Sequence, residues 1–102
     1  MSEVRTPPER LADLDPRWIG ASGEREGVGI RFECPCRSES CAWGGLVGIA
    51  FANPLDGGAG VDGMGPRWQR TGDTFETLTL SPSIHLVGHW HGWLRNGVLE
   101  SC

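Results

Sequence analysis

A chain of 102 residues with 38% hydrophobic residues, 16 glycines and 7 prolines has room for one thin-cored domain, the kind that gains stability from a disulfide or a bound metal. A formal charge of −4 argues against a general grip on nucleic-acid phosphates, and all nine cations are arginine, a bias that genome base composition alone produces. The start, MSEVRTPPER, does not resemble a secretory leader, and no run of about eighteen apolar residues exists to cross a membrane as a helix. The expected setting is a reducing cytoplasm, where four cysteines and three histidines point to metal binding more than to disulfides.

Residues 1–28 read as a polar N-terminal arm. Thr6 followed by Pro7, Pro8 and Glu9 can cap a short helix through about Leu14, which Asp15-Pro16 would end. Residues 20–29 read as a loop, so the compact domain is placed at 29–102. Short strands separated by turn residues follow: Ile30 to Glu33, a cysteine-rich knuckle, then Trp43 to Ala52. Residues 53–66 form a glycine-rich surface loop. Thr74 to Leu80 reads as a strand stopped by Ser81-Pro82-Ser83, and Ile84 to Val87 restarts it. The expected fold is mainly β: a small antiparallel sheet with a zinc-knuckle or ribbon-like metal staple.

Asn96-Gly97, between two apolar-bearing runs, is the strongest hairpin signal in the chain. A two-residue type I′ turn there sets Arg95 opposite Val98, Leu94 opposite Leu99, Trp93 opposite Glu100, Gly92 opposite Ser101 and His91 opposite Cys102. Opposed residues share a face with Cβ atoms about 5 Å apart, so an imidazole and a thiolate can share a metal. Cys34-Pro35-Cys36 supplies two further thiolates. The expected ligands are Cys34, Cys36, His91 and Cys102, a Cys₃His set suited to one structural zinc ion with no open position. His89, two residues before His91, is an alternate for Cys102, and Cys41, five residues after Cys36, could replace either.

The five tryptophans, at 18, 43, 68, 90 and 93, are expected in the core in preference to stacking on bases or sugars, with Trp90 on the face shared by Leu94 and Leu99. Asp56, Asp62, Asp73, Glu76 and His85 offer a base and Ser81 or Ser83 a nucleophile, although no motif fixes their geometry. A zinc held by His89, His91 and one thiolate would keep a position open for water and support hydrolysis.

The segment TLTLSPSIHLVGHWHGWLRNGVLESC, together with ECPC and FANPLDGG, resembles a family of small uncharacterised proteins of bacteriophages and prophages, some labelled ammonia monooxygenase without support. Its pattern is a cysteine pair after a strand, matched by Cys34 and Cys36; a threonine-x-serine-proline-serine element, matched by Thr79 to Ser83; a histidine, matched by His91; an asparagine- or aspartate-glycine turn, matched by Asn96-Gly97; and a later cysteine, matched by Cys102. Relatives extend past that cysteine, often with another histidine, and can carry cysteine near His89, so the fourth ligand stays open between Cys102 and His89. The resemblance covers about residues 32–102 and implies a small β-rich metal-binding domain with no established activity. The function expected is a zinc-stapled module that binds a host or phage protein, with a zinc hydrolase as the alternative and single-strand nucleic-acid binding disfavoured by charge.

Overall fold

The computed structural model describes residues 6–21, 25–37, 40–41, 44–60 and 66–101. Among them nine strands run in the order β1 (Glu9–Arg10), β2 (Arg17–Ala21), β3 (Arg25–Glu33), β4 (Leu46–Phe51), β5 (Arg67–Thr71), β6 (Thr79–Ser81), β7 (Ile84–Leu86), β8 (Trp90–Arg95) and β9 (Val98–Ser101), with one 3₁₀ turn, Leu11–Leu14, after β1. They form a four-stranded sheet of order β1-β9-β8-β7 and a five-stranded sheet of order β2-β3-β4-β5-β6. Every pairing is antiparallel except β4 with β5. The mainly β expectation holds, with two sheets in place of one and a single parallel pair.

Period-two alternation gives each sheet one apolar face. Ile30 and Phe32 of β3 and Val47, Ile49 and Phe51 of β4 join Ile84, Leu86, Trp90, Leu94 and Leu99 of the other sheet in one buried cluster. Trp90 is fully buried, as the hairpin register predicts, and its indole N–H reaches Thr6 Oγ1 at 3.0 Å and Ser101 Oγ at 2.9 Å. Its ring lies across Gly92, where a Cβ would run into that ring and into the Glu100 carbonyl. Trp18 and Trp68 pack partly buried against the core, Trp93 is half-buried on the outer face, and Trp43 lies outside the described residues.

The described residues among the first 28 pair with both sheets and contribute to the core. β1 pairs with β9, Leu11 and Leu14 are fully buried, and β2 pairs with β3 through the stretch expected as a loop, with Gly20 opposite Glu26 and Ala21 opposite Arg25. Thr6 does not cap a helix because it is tied to the hairpin, its N–H donating to Ser101 Oγ at 2.9 Å; only the 3₁₀ turn forms, without a side-chain cap. Thr74 to Thr77 are a turn and not a strand. The Leu78 N–H donates to the Thr74 carbonyl at 3.0 Å, and the Thr74 and Thr77 hydroxyls meet at 2.7 Å, so threonines that suggest β structure serve the turn instead.

Candidate functional site

Two clusters of chemistry-bearing side chains stand out, on either side of the turn that joins β7 to β8. The first is built from two knuckles and that turn. After β3, the Arg37 N–H donates to the Cys34 carbonyl at 3.0 Å, with Arg37 in the left-handed region at φ 50, and the Cys34 N–H donates to the Gly45 carbonyl at 2.8 Å. The second knuckle closes where the Gly44 N–H donates to the Cys41 carbonyl at 3.0 Å. The β7–β8 turn closes where the His89 N–H donates to the Leu86 carbonyl at 2.8 Å.

These turns bring one ligand atom each from Cys34, Cys36, Cys41 and His89 within 4.8 Å of one another, and the four can hold one metal ion. His89 Nε2 lies 3.3 Å from Cys34 Sγ and 3.4 Å from Cys41 Sγ. A tetrahedral ion with ordinary zinc bond lengths sets a nitrogen-to-sulfur edge of about 3.5 Å, so the donor set fits. Burial pushes the Cys34 thiol up from 9.0 to about 12.

Of the ligands expected from the sequence, Cys34 and Cys36 lie in this cluster, and the two alternates, Cys41 and His89, stand with them. His91 is not among the four, and Cys102 lies outside the described residues. Strand parity fails for His89 because β8 begins only at Trp90: His89 belongs to the turn, and its ring faces the cysteines while His91 stays on the outer face of the sheet.

His91 belongs to the second cluster. Its Nε2 lies 2.9 Å from Ser83 Oγ, and its ring stacks on His85 with centroids 4.4 Å apart and planes 28° apart. The hairpin explains the contact. Gly97 at φ 72 and Asn96 at φ 47 make the two-residue turn, so Arg95 and Val98 form a hydrogen-bonded pair. Alternation then directs the backbone groups of Trp90, Gly92 and Leu94 towards β7, where Gly92 faces Ile84 and Trp90 faces Leu86. His85 opposite His91 is the non-hydrogen-bonded pair between them, the class with the closer side chains. Ser83, two residues before His85, is the diagonal neighbour of His91 on that face.

The alternation Ser83, Ile84, His85, Leu86 holds this signal in the sequence, but reading it requires the three-residue turn that aligns β7 with β8. The far side of Ser83 is also held: the Trp68 indole N–H donates to the Ser83 carbonyl at 3.2 Å. Trp68 sits on β5, which Asn53 fastens, accepting from the Arg70 N–H at 2.7 Å and donating to the Arg70 carbonyl at 2.8 Å.

A Ser83–His91 contact on one sheet face and a Cys₃His cluster that could hold one metal ion, both carried on two β sheets, define a small β domain with a possible metal site. The chain belongs to the family described as bacterial ubiquitination-like system serine protease (BubE), whose model matches residues 4–102. No curated protein and no solved structure matches it. The resemblance drawn from residues 32–102 thus falls within a bacterial family; the phage and prophage origin has no counterpart in this match.

Proposed function

We propose that this protein is a serine hydrolase that cleaves an amide bond of a protein within a bacterial ubiquitination-like system, with Ser83 as nucleophile and His91 as general base. The observation that carries the reading is the 2.9 Å contact between Ser83 Oγ and His91 Nε2. With its proton on Nδ1, His91 accepts the Ser83 hydroxyl hydrogen as Oγ attacks the carbonyl carbon; the proton passes to the leaving nitrogen as the C–N bond breaks. Water then repeats the sequence on the acyl-serine ester, releasing the carboxylic acid and restoring the hydroxyl. The dyad lies on an open sheet face, which suits a segment carried on a host or phage protein, and the protein-binding role expected from sequence becomes substrate capture.

Zinc held by Cys34, Cys36, Cys41 and His89 supplies a structural clamp in this reading. Four protein donors fill a tetrahedron and leave no place for water, so the hydrolytic chemistry falls to Ser83 and not to the metal. The clamp joins the end of β3, the knuckle before β4 and the turn that introduces β8. The bacterial cytoplasm is the setting we propose; separately, no helix among the described residues is long and apolar enough to cross a membrane.

The test is covalent labelling with a fluorophosphonate, which loses fluoride to an activated serine. Mass spectrometry is expected to find one adduct, on Ser83, absent in Ser83→Ala and formed at least ~10³-fold more slowly in His91→Ala. An unlabelled wild-type protein, or equal labelling of Ser83→Ala, would overturn the reading.

A further inference from the structure

The stacked pair His85 and His91 has chemistry beyond a base and its neighbour. The two imidazoles stand directly opposite on β7 and β8, in the close, non-hydrogen-bonded class of pair, on the outer face of the sheet. Their rings touch at 4.4 Å, His85 is exposed and His91 half-exposed, and Ser83 Oγ completes a third corner at 2.9 Å from His91. Opposed on one sheet face, the two imidazoles are placed to offer one nitrogen each to a shared ion.

The surroundings admit a cation. Along this face, Arg95 is the nearest fixed positive charge on β8, and it is drawn over the Trp93 ring at 4.4 Å. Glu100 of β9 stands opposite Trp93 and offers the face a carboxylate. None of the three residues Ser83, His85 and His91 belongs to the Cys₃His cluster.

We infer that His85 and His91 form a second, solvent-facing site for a divalent transition-metal ion, and that its occupation withdraws the His91 nitrogen from Ser83 and switches the hydrolase off. Imidazole nitrogen selects Cu²⁺, Zn²⁺ and Ni²⁺ over the hard cations Mg²⁺ and Ca²⁺, with Cu²⁺ tightest. Only coordination bonds form, so removing the ion restores the dyad. The inhibition rests on the serine-hydrolase reading; the binding does not.

The experiment uses the full chain with its Cys₃His cluster already loaded with zinc. Zn²⁺ and Ni²⁺ are titrated by calorimetry, and the fluorophosphonate labelling rate of Ser83 is followed in parallel, with Mg²⁺ and Ca²⁺ as controls. One further equivalent of Zn²⁺ or Ni²⁺ is expected, with a fall in labelling of at least ten-fold, reversed by a mild chelator. His85→Phe preserves the stacked ring without its nitrogens, and His85→Gln removes the ring. Each variant, measured against its own metal-free rate, is expected to lose both the extra equivalent and the response.

Absence of a second equivalent in the wild type, or an undiminished one in both variants, overturns the site. Binding that leaves labelling unchanged overturns the switch. A wild-type protein that takes up the second ion but is never labelled at Ser83 refutes the hydrolase while leaving the metal site standing.

Discussion

Trp68 grips the backbone of Ser83, the proposed nucleophile, from the opposite sheet. Its indole N–H donates to the Ser83 carbonyl at 3.2 Å, and its strand is pinned two residues further on, where Asn53 bonds both backbone groups of Arg70 and the Arg70 guanidinium bonds the Asn53 carbonyl at 3.0 Å and the Gly72 carbonyl at 2.6 Å. A serine whose carbonyl is fixed cannot swing its Oγ off the His91 nitrogen by backbone rotation. Trp68→Phe keeps most of the ring and deletes the N–H, so the stability loss is about 1 kcal/mol. The larger effect falls on rate: labelling of Ser83 and kcat should each drop roughly ten-fold with KM moved less than about two-fold, because only alignment is lost. An unchanged labelling rate would show that Ser83 is held by other means. None of this was readable from residue types, since a tryptophan read as core does not announce the partner of its indole N–H.

At the level of elements, the β8–β9 hairpin sets the face on which Ser83, His85 and His91 meet, and it depends on one glycine. Gly97 sits at φ 72, and a Cβ there would stand 2.5 Å from the Phe75 carbonyl oxygen. Gly97→Ala combines the left-handed penalty with a backbone clash and should cost about 3 kcal/mol, read as a lower urea midpoint at unchanged slope. Asn96→Gly, at φ 47, should stay within a few tenths of a kcal/mol. The hairpin register was legible because turn chemistry fixes it: the four pairs Arg95–Val98 through Gly92–Ser101 are those observed, and the fifth expected pair, His91 with Cys102, lies outside the described residues. β5 was not legible: Arg67–Thr71 carries one large apolar side chain, Trp68, among polar ones, and its pairing with β4 and β6 depends on partners distant in sequence. His89 was misplaced by extending strand parity one residue into a turn. The serine dyad was hidden for a related reason, since its members lie on different strands and their diagonal contact exists only once β7 is registered on β8.

On the scale of the whole molecule, a metal ion held by the Cys₃His cluster would tie the end of β3, the knuckle before β4 and the β7–β8 turn together, and the metal-free and loaded forms should have opposite pH signatures. In the metal-free protein, burial lifts Cys34 from 9.0 to about 12, so the fold favours the protonated thiol. A group whose folded value is raised contributes stability that is complete below the unfolded value and disappears as pH climbs through the folded one; the metal-free protein should therefore weaken progressively between about pH 9 and pH 12. With zinc bound the requirement reverses, because the ligands must be thiolate and neutral imidazole, and protons compete with the ion as pH falls. Thermal melts across pH, run on chelator-stripped and zinc-loaded protein, should then diverge: the stripped protein falls off on the alkaline side, and the loaded one loses its added stability on the acid side as zinc is released. Cys41→Ser and His89→Ala should abolish the difference between the two curves, whereas His91→Ala should preserve it. If His91→Ala removes the zinc-dependent stability and His89→Ala leaves it intact, the ligand set is the one expected from the hairpin register and the dyad assignment falls with it.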